Sequence, residues 1–177
     1  MKRLQTICLV VMTALLASCG GGGSPYVAAT DAGCSLPLRF ANTSSNSGIA
    51  IPESNNWTPL TGEVGRSISG CAIERLETLR VGICLKHPQL DDLQIRVSGP
   101  NGNTQTVPLS GVSATTDTLC SALDASARQV NLNVNASAFT TPSTFNGVWL
   151  VQARDNTPGY ESGVLVGWSL QLGGLKW

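Results

Sequence analysis

Residues 93–109 read LQIRVSGPNGNTQTVPL, and this stretch decides the fold class of the chain. Leu93, Ile95 and Val97 alternate with polar residues, which is the period of a strand with one buried face. Gly99-Pro100-Asn101-Gly102 then supplies a turn, because proline presets φ and glycine or asparagine accepts a positive φ. The stretch therefore predicts a β-hairpin whose second strand runs from Thr104 to Leu109.

Short apolar alternations separated by turn residues continue on both sides of this hairpin, and no segment keeps a 3.6-residue period. The strands predicted outside the hairpin are Ser35 to Ala41, Val64 to Ile73, Glu77 to His87, Gln129 to Val134, Gly147 to Arg154 and Val164 to Leu172. About eight short strands joined by polar turns are typical of a β-sandwich. We therefore predict an all-β domain, with a jelly roll as its form.

The first eighteen residues have the composition of a secretory signal peptide. Two basic residues at positions 2 and 3 precede a mostly apolar run at residues 4–16, which is too short to span a bilayer as a mature helix. The run ends in Leu16-Ala17-Ser18-Cys19, which resembles the bacterial lipobox, whose cysteine receives a diacylglyceryl group. We therefore predict cleavage before Cys19 and lipidation of its thiol. The alternative is an ordinary signal peptide followed by an incidental cysteine.

A glycine-rich segment follows the predicted lipid site and has no apolar periodicity. Such composition is typical of a flexible linker, so we predict a tether at residues 19–33 and a domain at residues 34–177. The alternative places the end of this segment on the domain. Gly20, where an aspartate would favour the inner membrane, indicates an outer-membrane lipoprotein by resemblance to Gram-negative lipoproteins. The expected location is thus the cell envelope, with the chain held by acyl groups.

Charge and composition exclude two classes of function. The chain has 11 Lys and Arg against 11 Asp and Glu, so its formal net charge is zero. A nucleic-acid binder needs a cationic surface to displace counterions from phosphate, so no nucleic-acid partner is expected. A single histidine and the absence of Cys-x-x-Cys exclude the common zinc sites.

Four cysteines remain after the predicted cleavage and lipidation, namely Cys34, Cys71, Cys84 and Cys120. An even number in an exported protein predicts two disulfides, and four cysteines allow three pairings. The apolar residues at 79, 81, 83 and 85 share one strand face, so Cys84 points to the other face, where the polar loop 110–125 that contains Cys120 is expected to cross. This favours Cys84–Cys120 and Cys34–Cys71. The alternative is free buried thiols.

Three motifs follow one another along the chain. They are His87 with Asp92-Leu93-x-Ile95-x-Val97 and Pro100-x-Gly102, then Phe145-x-Gly147-x-Trp149-x-Val151 with Asp155, then Gly163-x-Leu165-x-x-Trp168-x-Leu170. In this order and spacing they resemble the P domain (Homo B domain) of proprotein convertases and bacterial subtilisin-like proteases. Upstream, residues 49–53 resemble the family's entry motif, so the resemblance covers residues 49–172. It implies a galactose-binding-like jelly roll.

The chain departs from the family pattern at a few positions. Asp91, Gly99 and Glu161 stand where the family usually has Gly, Ser and Asp, and only Asp124 remains of its Phe-Asp-Asp motif. Some P domains bind calcium through acidic loops.

Each motif residue has a predicted structural role, and some have an alternative functional role. Trp149 and Trp168 lie on apolar strands, which predicts core anchors whose N–H groups bond carbonyls, the alternative being a ligand-stacking surface. His87 ends a strand, which predicts a hydrogen-bonded structural imidazole, the alternative being a catalytic base. Asp92 and Asp155 stand at strand ends, where carboxylates cap turn N–H groups.

A calcium site is the alternative to capping, because this cation takes several oxygen ligands. Asp91, Asp92 and Asp155 are its first candidates, and no other cofactor is expected.

Catalysis is not expected. The chain has no Gly-x-Ser-x-Gly elbow and no Ser-x-x-Lys pair, and only His87 could be the base of a Ser-His-Asp triad. The resemblance implies an accessory domain that adjoins a separate protease, so we expect a lipid-anchored envelope protein with a protease or envelope protein as partner. The alternatives are a carbohydrate-binding module with Trp57 and Tyr160 as exposed rings, and an isolated hydrolase that uses His87.

Overall fold

The computed structural model of the chain describes residues 28–53, 56–59, 65–116, 118–139, 145–157 and 162–177. These ranges contain nine strands, one short α-helix and two 3-10 turns. The strands are β1 Thr30–Phe40, β2 Ile49–Ile51, β3 Arg66–Ile68, β4 Arg75–Lys86, β5 Leu93–Ser98, β6 Thr104–Pro108, β7 Arg128–Val134, β8 Gly147–Asp155 and β9 Gly163–Lys176. The helix α1 is Thr118–Leu123, and the turns are Leu90–Asp92 and Ala136–Phe139. The predicted signal peptide and Cys19 lie outside the described residues.

The strands form two antiparallel sheets. One sheet has the order β1-β9-β4-β7, with β2 also paired to β9, and the other has the order β3-β8-β5-β6. The predicted hairpin is β5 and β6, which pair from Gln94 opposite Pro108 to Ser98 opposite Thr104. The all-β sandwich is therefore confirmed, and a strand overlaps each of the eight predicted ranges, although in the range 64–73 it covers only Arg66–Ile68. The three-residue β2 was not predicted.

The domain begins earlier than the sequence predicted. Strand β1 begins at Thr30 and pairs with the end of β9, with Thr30 opposite Lys176 and Gly33 opposite Gly173. Residues 30–33, which we assigned to the tether, therefore belong to the sandwich.

The core lies between the inner faces of the two sheets. Leu93, Ile95 and Val97 of β5 are fully buried, as the alternation predicted. The apolar positions 79, 81, 83 and 85 of β4 are buried in the same cluster. Each such side chain contributes about 1.5–3 kcal/mol relative to an exposed one, so this cluster is the main source of stability.

A second, smaller cluster lies on the outer face of the five-stranded sheet. Cys84 is fully buried there with Cys120, Ala127 and Val166, and α1 covers it through Leu123. The structure joins Cys84 to Cys120 and Cys34 to Cys71, so the favoured pairing is confirmed. The loop predicted to carry Cys120 contains a short helix, which the sequence did not indicate.

Candidate functional site

The candidate site lies where β4, the turn Leu90–Asp92 and the end of β8 meet. His87 Nε2 is 3.2 Å from Asp155 Oδ2, and the two side chains are only 3% and 4% exposed. The other ring nitrogen, Nδ1, lies 2.8 Å from the main-chain oxygen of Gln89 and 3.2 Å from its nitrogen. Both ring nitrogens are therefore engaged, and the prediction of a hydrogen-bonded structural imidazole is confirmed.

The carboxylates around this histidine cap turns. Asp155 Oδ1 accepts a hydrogen bond from the Thr157 N–H at 2.8 Å, and Asp92 Oδ1 accepts one from the Thr157 hydroxyl at 3.1 Å. Asp91 is engaged elsewhere, where its Oδ1 accepts from the Gly111 N–H at 2.9 Å. Thr157 thus links two of the predicted acidic residues and leaves the third apart.

The three carboxylates do not form a ligand set for calcium. Within the described ranges, no three His, Cys, Asp or Glu side chains lie close enough to hold a metal ion. Calcium needs about six to eight oxygen ligands around one point. Asp155 instead caps the Thr157 N–H, as predicted, while Asp92 accepts from the Thr157 hydroxyl and Asp91 from the Gly111 N–H.

The surroundings of His87 favour a structural role over that of a catalytic base. A groove of about 430 Å³ runs beside the turn and is lined by Asp91, Arg128 and neighbouring residues, and neither His87 nor Asp155 lines it. A base must reach the proton that it removes, either directly or through one water. The His87 ring is 3% exposed, and its second nitrogen lies against main chain and not against a hydroxyl, which matches the structural interpretation.

The two motif tryptophans are core anchors, as predicted. Trp149 and Trp168 are both fully buried, and Trp149 Nε1 donates to Phe145 O at 3.1 Å. The prediction that both indole N–H groups bond carbonyls is wrong for Trp168, because its Nε1 has no hydrogen-bond partner among the described residues. Its ring lies instead 4.8 Å from the guanidinium carbon of Arg66, which donates to Trp168 O at 2.9 Å. Burial, followed by the charge of Arg39, lowers the pKa of Arg66.

An ion pair holds the strand end next to the candidate site. Lys86 Nζ lies 2.8 Å from Asp124 Oδ2, and the other carboxylate oxygen accepts from Ser126 N at 2.9 Å and Ser126 Oγ at 2.7 Å. The pKa of Asp124 is lowered to about 2, chiefly by the hydrogen bond from Lys86 and then by those from Ser126. Asp124 therefore ties the end of α1 to β4.

Trp57 is not an open platform for a sugar. Its ring is half-buried, and the guanidinium carbons of Arg96 and Arg154 lie 4.4 and 4.7 Å from the ring centroid. Tyr160, the second ring that the carbohydrate alternative requires, lies outside the described residues. Of the two rings, the structure therefore describes Trp57 alone, and its contacts with two arginines do not favour glycan binding.

Sequence reasoning missed four arginines that the structure places against tryptophans, namely Arg66, Arg75, Arg96 and Arg154. The only signal was an arginine on a strand that alternates with apolar residues, which also describes an ordinary solvated position. Their partners are far away in sequence, so no local pattern could identify them.

The chain was compared with solved structures, with curated proteins and with protein-family models. The fold is similar to a structure of the Aeromonas sobria serine protease and chaperone complex, with 18% identity and a TM-score of 0.48 over 88% of this chain and 28% of that one. It is also similar to a structure of the serine protease of Aeromonas sobria, with 18% identity and a TM-score of 0.47 over 86% of this chain and 28% of that one. This chain thus spans less than a third of the length of either. No curated protein matches it.

The described helices include none that is long and apolar enough to cross a membrane. The family model described as "Proprotein convertase P-domain" matches residues 76–172, which is more than half of the chain. The matched range contains all three motifs quoted above, while residues 49–53 lie outside it. The chain therefore belongs to the proprotein convertase P-domain family.

Proposed function

We propose that this chain is a non-catalytic accessory P domain, held at the outer membrane by acyl groups on Cys19, and that it acts by binding a protein partner. The first expected partner is a subtilisin-like serine protease, because P domains accompany such enzymes. The observation on which the proposal depends is the family match over residues 76–172.

The geometry around His87 supports an accessory role. The single histidine of the chain is buried against Asp155 and the main chain of Gln89, where it links β4 to β8. Removing one partner of a buried hydrogen-bonded pair costs about 1–3 kcal/mol, so this pair contributes to stability. A structural role leaves the outer faces of the two sheets as the surfaces for binding.

The anchor is supported by the sequence alone. An apolar run followed by Leu16-Ala17-Ser18-Cys19 predicts lipidation, and the glycine-rich residues after it predict freedom to reach a partner. Two or more acyl chains hold a protein durably on a membrane, since each buried CH₂ contributes about 0.8 kcal/mol.

Photo-crosslinking in the native cells tests the proposed partner. A benzoylphenylalanine replaces one exposed residue on each side of the domain, Val148 in one variant of the full chain and Leu119 in another. We expect mass spectrometry to identify a subtilisin-like protease in the adduct from at least one position. The same residue placed in an unrelated outer-membrane lipoprotein is the control. The absence of any protease adduct from both positions would reject the proposed partner.

A further inference from the structure

Two arginines lie on the outer face of the four-stranded sheet. The register of β5 and β8 places Gln94 opposite Arg154 and Arg96 opposite Gln152. Ile95 between them is fully buried, so the side chains of its neighbours in β5 point away from the core. Arg96 and Arg154 are therefore diagonal neighbours on the solvent side of the sheet.

Each arginine is oriented by a neutral amide. Arg96 Nε donates to Gln152 Oε1 at 3.0 Å, and Arg154 Nε and Nη2 donate to Gln94 Oε1 at 3.0 and 2.7 Å. These bonds fix the planes of the guanidinium groups but do not neutralise their charge, because the amide acceptors are uncharged. They also leave donors on the remaining Nη1 of both groups for another acceptor.

Trp57 holds the two charges together. Thr58 attaches this segment to β8, because its N–H donates to Ala153 O at 2.8 Å and its carbonyl accepts from Gln152 Nε2 at 2.6 Å. Thr58 is fully buried, so the adjacent Trp57 ring is held in place against both guanidinium groups. A rigid aromatic ring beside arginine is the composition typical of interface hot spots.

The pair lacks a negative partner in the part of the chain that the structure describes, where the ion pairs are Arg75–Glu77, Lys86–Asp124 and His87–Asp155. Burial lowers the pKa of Arg96, and the positive charge of Arg154 lowers it further. Two half-buried like charges that lie against the same Trp57 ring repel each other, and a bound carboxylate would offset that repulsion.

An apolar strip continues from the arginines along the same face. Leu150 and Val148 precede Gln152 at two-residue steps on β8; Leu150 is half-buried and packs against the core cluster, and Val148 is 48% exposed. Side chains at such steps are about 6.6 Å apart on one face of a strand. The face thus offers two cationic forks, one aromatic ring and two aliphatic side chains in a row.

We propose that this face, defined by Trp57, Arg96, Arg154, Val148 and Leu150 and named the arginine face, binds a segment of a partner protein in which Asp or Glu lies beside apolar residues. This proposal rests on the proposed function, since it names the surface and chemistry of the partner contact. A protein segment fits better than an anionic membrane, because the chain has no net positive charge and the apolar strip matches side chains and not headgroups.

Fluorescence anisotropy with a labelled peptide tests the arginine face on the full purified chain. The probe is a twelve-residue peptide with glutamates between leucines and valines. The control peptide has glutamine in place of each glutamate. We expect saturable binding of the glutamate peptide and at least tenfold weaker binding of the glutamine peptide. Arg96→Gln and Arg154→Gln should each weaken binding about tenfold, while Arg80→Gln, an equal loss of charge on the other sheet, should leave it unchanged.

Val148→Asp provides a variant that does not depend on the buried contacts, since an exposed aspartate repels the glutamates without disturbing the core. It should also weaken binding about tenfold. Equal binding of both peptides, an equal effect of Arg80→Gln, or tighter binding of phosphatidylglycerol vesicles than of the peptide would overturn the proposal.

The crosslinking positions separate this proposal from the proposed function. An adduct from Val148 that disappears with Arg96→Gln and Arg154→Gln supports the arginine face. An adduct from Leu119 alone retains a protein partner and rejects this face. If no adduct forms at either position, the proposed partner is rejected, and the peptide titration still decides whether the arginine face binds carboxylates.

Discussion

At the scale of single residues, the candidate site is a set of buried polar contacts that connect the two sheets. His87 and Asp155 are 68 positions apart in sequence and meet at 3.2 Å with almost no solvent exposure. Asp92 and Asp155 share Thr157, which fixes the end of β8 against the turn Leu90–Asp92. These contacts are satisfied within the domain, so they contribute to its stability.

The contribution of the Lys86–Asp124 ion pair to the stability of the fold should depend on pH. Because the pKa of Asp124 falls from its ordinary 3.8 to about 2 in the folded chain, its carboxylate stabilises the fold above about pH 4. This contribution is lost as the pH falls from about 4 to 2. Asp124→Asn should therefore lower the Tm by about 2–4 °C at pH 7 and by almost nothing at pH 2.

Thermal unfolding between pH 7 and pH 2, followed by circular dichroism, measures this difference. Asp31→Asn removes an exposed carboxylate from β1 and is the matched control. A Tm difference for Asp124→Asn that stays constant over this pH range would show that its charge is not the cause.

At the scale of elements, β9 is the strand that organises the larger sheet. It pairs with β1 and β2 and with β4, and its register with β4 shifts where Cys84 and Leu85 face Gly167 and Leu165. Because of this irregularity, Leu165 and Trp168 both enter the main core, while Val166 packs on the outer cluster with the disulfide. One strand thus supplies both clusters.

Gly167 allows β9 to pass between β1 and α1. A Cβ atom at this position would lie 2.5 Å from the Arg39 carbonyl oxygen and 2.6 Å from Leu123 Cδ1. The carbonyl is main chain of a paired strand and cannot move without breaking that pairing. We expect Gly167→Ala to lower the free energy of unfolding by about 1–3 kcal/mol, measured by urea denaturation with the disulfides intact.

Gly33→Ala is the control for this substitution. The nearest atom to its Cβ would be Leu172 O at 3.6 Å, which is an ordinary contact, so stability should be unchanged or slightly raised. Equal destabilisation by both alanines would indicate that strand glycines matter for another reason than close approach to Arg39.

At the scale of the whole molecule, the two outer faces of the sandwich differ. The face of the five-stranded sheet is partly covered by α1 and the Cys84–Cys120 disulfide. The face of the four-stranded sheet presents the arginine face, with Trp57 held over it. This asymmetry would allow the proposed tethered domain to meet a partner from one side.

Cell fractionation tests the anchor at this scale. With Cys19 lipidated, the chain should sediment with outer membranes, and its N-terminal peptide should have the mass of an acylated cysteine. Cys19→Ser removes the acceptor thiol, so the mass of the acyl groups should disappear. The mature chain should then no longer sediment with outer membranes. Cys8→Ser, within the predicted signal peptide, is the matched control. An unmodified mature N-terminus in the natural chain would contradict lipidation.

The strand positions, the sandwich and the disulfide pairing were predictable because each depends on local patterns. Alternation of apolar residues identifies a buried face within a few positions, and the same alternation directed Cys84 away from the core. Trp149 and Trp168 were recognised as core residues for this reason, and the order of motifs indicated the family.

Only the tertiary structure decided which distant residues meet. Asp155 joins His87, Arg66 lies against Trp168, and Arg96 and Arg154 share Trp57 because particular strands are neighbours in a particular register. The separation of Asp91 from Asp92 and Asp155, which are the three residues of the alternative calcium site, has the same origin. Local sequence fixes the direction of a side chain relative to its own strand, but its contacts depend on strand order and sheet packing, which arise only when the whole chain folds.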